Sequence, residues 1–224
     1  RRRIHDWCKR SARTSSMSEQ SQGTALALRD RVLRVSRQGV RRVIAITGAP
    51  ASGKSTMADI LVRDLDNAGC SSQLVPMDGF HLHNPILADR GLLDRKGAPQ
   101  TFDVGGLLQL ASHLGTAHEL YYPVFDRSRD ISIAGAGYID PACDTIVIEG
   151  NYLLMKAPIW EDMATYWDMS VMLHCPMDVL ETRLVQRWQN FGLTTEQARA
   201  RAELNDLPNA RLVQQTAAVA DLVI

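Results

Sequence analysis

No apolar run in the 224-residue chain approaches the roughly 20 residues that a membrane-spanning helix requires, so membrane insertion is not expected. The four cysteines (Cys8, Cys70, Cys143 and Cys175) stand far apart with no C-x-x-C pair. Neither a zinc site nor a disulfide framework is therefore expected, and a reduced, cytoplasmic setting fits best. Net charge is absent as well, with 25 Lys+Arg against 25 Asp+Glu. The balance is uneven, because residues 1–16 carry six basic residues and one acid. The remainder is mildly acidic, and nucleic acid is not its expected partner. Internal repeats and low-complexity blocks are missing too. What is present is 45% hydrophobic and 22% charged residues. That composition excludes a disordered chain and suits one domain, or one domain with a sizeable insertion.

Segment 1–23 is basic, then rich in Ser and Gln, without hydrophobic periodicity, and reads as a disordered tail. Its Arg- and Ser-rich character also suits a targeting segment, although the apolar stretch of a secretory signal is missing. Met17 is a candidate start. From Thr24, apolar residues at Leu28, Val32 and Val35 follow the i, i+4, i+7 rule, which predicts an amphipathic helix ended by Gly39. Strands are expected at 43–46, 73–77, 145–149, 169–174 and 221–224. A helix is expected at 55–67, stopped by Gly69. Asp178-x-x-Glu181 and Thr194-x-x-Gln197 are helix-start capping patterns. Strands alternating with helices predict an α/β fold with a doubly wound, five-stranded parallel sheet. Residues 24–224 would form one domain. Its long excursion at 79–144 is expected to be a substrate-binding insertion.

One motif decides the class. Gly48-Ala49-Pro50-Ala51-Ser52-Gly53-Lys54-Ser55 matches G-x-x-x-x-G-K-[ST], directly after a predicted strand and directly before a predicted helix. Its glycines let successive backbone N–H groups converge on an anion, and the helix amino end adds partial positive charge. Lys54 supplies a cation for the outer phosphates, and the Ser55 hydroxyl can ligate Mg²⁺, with Thr56 continuing the nucleotide-binding segment. A P-loop NTPase fold binding ATP follows. The guanine motif N-K-x-D and the ABC signature L-S-G-G-Q are both missing, which disfavours GTPases and ABC ATPases. Thr145-Ile146-Val147-Ile148-Glu149 is an apolar strand ending in an acid, which would face the ligand crevice. Glu149 can hold the Mg²⁺ shell or act as a base.

The strings VPMDGFHL, RKGAPQTFD, YYPVFDR and VIEGNYLL resemble the P-loop kinases of the uridine kinase, phosphoribulokinase and pantothenate kinase family. The greatest likeness is to members described as fructose transport system kinases. The resemblance runs from about Val43 to Ile224. It implies that Asp78 is the acid that activates the acceptor hydroxyl. An acid at the end of the second strand, beside the phosphate loop, can indeed accept or orient such a proton. Arg183 and Arg187 lie four apart on a predicted helix, and the resemblance puts them in a lid, 178–204, over the phosphates. Two guanidinium groups on one face suit polyphosphate. An ion pair on a solvated face is the alternative role for Arg183.

The acceptor would be a small-molecule hydroxyl compound. Candidate contacts are Phe80, His81, Arg95, Lys96, Asp103, Tyr122, Phe125, Arg127, Asn151 and Tyr152, with His83 as an additional polar residue. Two departures count against uridine. Gly97 stands where uridine kinases have a ribose-binding Asp, and Asp130 stands where they have a nucleobase-side His. Arg95-Lys96-Gly97-Ala98-Pro99 instead resembles pantothenate kinase, and its basic residues could meet an anionic acceptor or ATP phosphates. The expected function is ATP- and Mg²⁺-dependent phosphorylation of a sugar-like alcohol by a monomer or homodimer. A pantothenate- or nucleoside-type kinase, or a regulatory ATP-binding protein without acceptor, are the alternatives.

Overall fold

The structure, a computed structural model, describes residues 19–224. Residues 1–18, with the basic segment and Met17, lie outside the described residues. The first helix, α1 (Glu19–Val32), differs from expectation at both ends. It begins inside the segment read as a tail and stops seven residues before Gly39. Beyond Val32 the chain tightens, with Val35 N–H bonding the Val32 carbonyl, and Arg42 Nε captures the Val35 carbonyl at 2.9 Å. These bonds turn the chain into the first strand instead of extending the helix.

β1 (Arg42–Gly48) is followed by α2 (Lys54–Asn67) and β2 (Ser72–Pro76). A one-turn 3₁₀ segment, Met77–Phe80, leads to the short α3 (Asn84–Asp89), α4 (Val104–Leu114) and a hairpin of β3 (Leu120–Asp126) and β4 (Ile131–Ile139). β5 (Thr145–Gly150) and β6 (Met169–Leu173) return to the main sheet. Then come α5 (Met177–Asn190), α6 (Thr195–Arg201), a π-turn at Ala202–Asp206, α7 (Leu207–Thr216) and β7 (Leu222–Val223). The main sheet is parallel, in the order β2-β5-β1-β6-β7. All five expected strands are present, with ends shifted by at most two residues. Thr194 forms the expected capping box of α6. Asp178 does not cap α5. Pro176 holds the cap position, so Asp178 lies in the first turn, where its charge still suits the helix dipole.

The centre of β1, Val43 to Ile46, is an unbroken apolar run because both of its faces are covered. Val43 and Ala45 point to a cluster completed by Leu107, Leu110, Ala111 and Leu114 of α4. Ile44 and Ile46 point to the other cluster, with Leu28 and Val32 of α1 and Ile60 and Leu61 of α2. A third cluster joins Ala49 to Leu180 and Leu184 of α5 and Ala210 of α7. The 79–144 excursion thus contains a core helix as well as a loop region and a hairpin. Register then aligns the motifs. Ile46 and Pro76 both lie opposite Glu149, so Gly48, Asp78 and Glu149 emerge together at the carboxyl ends of three adjacent strands.

Candidate active site

A cleft of about 930 Å³ opens over these strand ends. Its floor is the phosphate loop. Gly48 must be glycine, since a Cβ there would lie 2.6 Å from Ser52 Oγ and 2.9 Å from the Leu173 carbonyl. Gly53, at φ 98°, adopts the left-handed backbone that starts α2, and Ala51 is left-handed too, at φ 63°. A non-glycine residue held this way costs on the order of 1–3 kcal/mol and persists only where its surroundings enforce it. Arg183 is part of that enforcement, donating from Nη1 to the Ala51 carbonyl at 3.2 Å and the Ser52 carbonyl at 3.4 Å.

Ser55 Oγ donates to Glu149 Oε2 at 3.1 Å. Glu149 is buried, which pushes its carboxyl pKa up, partly opposed by Lys54. A hydroxyl and a carboxylate joined in this way at a helix amino end are hard oxygen donors of the kind that hold Mg²⁺ together with substrate phosphates. Among the described residues there is no cluster of three or more His, Cys, Asp or Glu, so such an ion would rely on this pair and the phosphates.

Across the cleft, Asp78 accepts a hydrogen bond from Arg127 Nη2 at 2.5 Å. Burial alone would raise its pKa, but Arg127, His81, Lys54 and Arg187 together outweigh burial and hold it below the usual carboxylate value. Asp78 is therefore ionised at neutral pH. His81 donates from Nδ1 to the Asp78 carbonyl at 2.8 Å, and its ring packs against Phe102 (4.1 Å between centroids) and Phe125 (4.8 Å). Burial lowers the His81 pKa, which favours a neutral imidazole.

No family model matches the chain. A solved structure from Silicibacter sp. TM1040, provisionally named a fructose transport system kinase, is 48% identical, with a TM-score of 0.86 over 89% of this chain and 98% of its own. A provisionally named uridine kinase of Schizosaccharomyces pombe is 31% identical over 212 residues, 88% of each chain. The YggC protein of Escherichia coli is 31% identical over 186 residues, 82% of this chain and 77% of its own. The chain belongs to the P-loop kinase family of the uridine kinase, phosphoribulokinase and pantothenate kinase type. Like its relatives, this P-loop kinase is an ATP-dependent small-molecule kinase.

In this P-loop kinase the cleft is lined by Pro50, Ala51, Gly53, Lys54, Ser55 and Thr56 of the expected nucleotide segment, by Asp78 and Glu149, and by Arg187. His81, Lys96, Phe125, Arg127 and Asn151 of the expected acceptor set also line it. The other acceptor candidates do not. Phe80 is buried in the core cluster with α4. Tyr122 is buried in the hairpin and donates its hydroxyl to the Leu74 carbonyl. Tyr152, also buried, donates to the Gly97 carbonyl at 2.7 Å. Asp103 caps α4 through the Gly106 N–H. Arg95 turns to the Leu204 carbonyl at 2.9 Å. Each of these holds a wall in position rather than lining it, and Arg183 lies behind the loop. His83 is exposed.

Further residues line the cleft that no motif marks as contacts, apart from Asp130, which stands at the position of the uridine kinases' nucleobase-side His. Asn84 and Asp130 come from α3 and the hairpin turn, Trp188 and Phe191 from the end of α5, and Asn205, Asp206 and Asn209 from the π-turn and α7. Asn205 and Asn209 are buried and bonded to each other, and Asn205 Nδ2 donates to the Lys96 carbonyl at 2.8 Å. A π-turn is itself a frequent mark of a functional site.

Proposed function

We propose that this kinase transfers the γ-phosphoryl group of ATP, with Mg²⁺, to a hydroxyl of a small polyhydroxylated metabolite, a sugar or sugar-like alcohol. The observation that carries the reading is Asp78: an ionised carboxylate beside the phosphate loop, facing the apolar platform of His81, Phe102 and Phe125. Carbohydrates offer one apolar C–H face to such rings and hydroxyl edges to the polar groups around them. The fructose transport system name carried by the Silicibacter structure accords with this chemistry.

Phosphoryl transfer asks a protein mainly for alignment and charge neutralisation. The loop N–H groups and Lys54 would bind the phosphates, and Arg187 would extend positive charge from α5, in the lid assigned to 178–204. Asp78 would hold the acceptor hydroxyl in line and accept its proton, with Arg127 fixing the carboxylate. Ser55 and Glu149 would hold Mg²⁺, which when bound neutralises charge on the bridging phosphates. The loops and hairpin of 79–144 would supply the acceptor walls.

A panel of sugars, polyols, nucleosides and pantothenate, read by ADP release, tests this reading. Stimulation by a neutral sugar or polyol above the other classes is expected. If no compound stimulates ADP release, a regulatory ATP-binding role replaces the kinase reading of the acceptor site.

A further inference from the structure

Three segments distant in sequence meet on the acceptor side of the cleft. Lys96 Nζ donates to Asn84 Oδ1 at 2.6 Å, to the Asp130 carbonyl at 3.0 Å, and pairs with Asp130 Oδ1 at 2.9 Å. Its ammonium also lies 4.9 Å above the Phe125 ring. Asn84 Nδ2 donates to Asp130 Oδ2 at 2.7 Å. An ammonium has three N–H donors, and all three of Lys96's are committed. No donor remains on Lys96 to greet an anion. Arg95, the other basic residue of this loop, faces the Leu204 carbonyl.

Asp130 is in the opposite situation. A carboxylate offers about four lone-pair sites, of which Lys96 and Asn84 use two. Its side chain is 54% exposed, against 12% for Lys96. The free lone pairs of Asp130 and the second N–H of Asn84 are thus the hydrogen-bonding groups this cluster presents to the cleft. They match hydroxyl groups, which donate to a carboxylate and accept from an amide. They match a carboxylate or phosphate badly, since its charge would meet the Asp130 carboxylate with the single remaining Asn84 N–H as the only donor of this cluster.

We infer that Asp130, held by Lys96 and Asn84, is a specificity-determining residue that selects an uncharged, polyhydroxylated acceptor and rejects its anionic counterpart. This rests on the proposed function and sharpens it. Asp130 is left-handed at φ 55°, a conformation that asparagine tolerates as well as aspartate, so Asp130→Asn leaves the backbone at ease.

The experiment compares neutral sugars and polyols with their matched sugar acids as acceptors, by ADP release, in the native protein, Asp130→Asn and Lys96→Met. The readout is the ratio of kcat/KM for the neutral compound to that for its acid. A loss of folded protein lowers both members equally and cannot move this ratio. The native protein favours the neutral member. Asp130→Asn removes the negative charge and leaves Lys96 without its counterion, so the ratio falls about tenfold, roughly 1.4 kcal/mol. Lys96→Met leaves Asp130 unbalanced and raises the ratio, which keeps the test decisive should Asp130→Asn fold poorly. A native preference for the acid, or a ratio unmoved in both variants while ADP release persists, overturns the inference and leaves the kinase reading intact. Absence of stimulation by any compound overturns both.

Discussion

The two halves of the cleft are built by opposite strategies. The nucleotide half is nearly contiguous in sequence: residues 48–56 carry the loop, its cation and its hydroxyl, and Glu149 and the two α5 arginines are added from elsewhere. Its geometry is set by backbone conformation, with glycines and a left-handed Ala51 supported by Arg183. The acceptor half is assembled from the turn after β2, the loop through Lys96, the hairpin turn and the α5–α7 segment, and its geometry is set by side-chain bonds between those pieces. Chemistry shared by many relatives can reside in a fixed backbone loop, whereas selectivity resides in exchangeable side chains on separate loops. Substitutions in the first half should therefore stop transfer outright, and those in the second should redirect or soften it.

Lys54→Ala is the severest test of that division. It removes the cation that neutralises the transferring phosphoryl group, so kcat should fall on the order of 10³–10⁵-fold. ATP affinity, measured by calorimetry, should fall much less because the loop N–H groups remain. Near-normal turnover would show that the loop is not where the phosphates bind.

Asp78 lies on the border between the halves. Asp78→Asn keeps size and removes the charge, and transfer should fall on the order of 10²–10⁴-fold while ATP binding persists. The pH dependence has a definite sign. The ionised form is the active one, and Arg127 and its neighbours hold the pKa below 3.8, so Asp78 contributes no loss of rate from pH 8 down to pH 5. A pH–rate profile with a limb in that range that vanishes in Asp78→Asn would reverse the assignment.

The same division explains how much could be read from sequence. The parallel sheet was legible because strands buried on both faces, such as 43–46 and 145–149, are unbroken apolar runs. The phosphate loop was legible because its parts are neighbours. Within aromatic and basic strings the sequence offers acceptor residues by type alone, and type does not reveal which way a side chain faces. Tyr122 and Tyr152 end on backbone carbonyls 48 and 55 residues away, and no local pattern encodes such a partner. Asn205 and Asn209 lie beyond the lid expected at 178–204, because the π-turn carries the wall on into α7.

The two arginines of α5 give a finer comparison. Their spacing puts them on one helix face, but of the two only Arg187 lines the cleft and acts on Asp78 electrostatically. Arg183 bonds the carbonyls behind the loop. Arg187→Ala should lower kcat about 10²-fold with a modest change in KM for ATP. Arg183→Ala should chiefly raise KM for ATP, since a loosened loop binds phosphate less well. Identical kcat losses from both would show that they act as one clamp.

The smallest expected effect belongs to Asp103, which resembled an acceptor contact by sequence but caps α4 in the structure. Its carboxylate accepts the Gly106 N–H at 3.0 Å, at the start of a helix whose Leu107, Leu110, Ala111 and Leu114 cover the sheet. Replacing such a cap by alanine costs about 1 kcal/mol. For a chain of this length that corresponds to a fall of about 2–4 °C in melting temperature. The acceptor KM should not change, because Asp103 does not reach the cleft, and thermal melting measured beside acceptor kinetics separates the two roles. A raised acceptor KM at unchanged melting temperature would return Asp103 to the acceptor half and show that its wall extends along the start of α4.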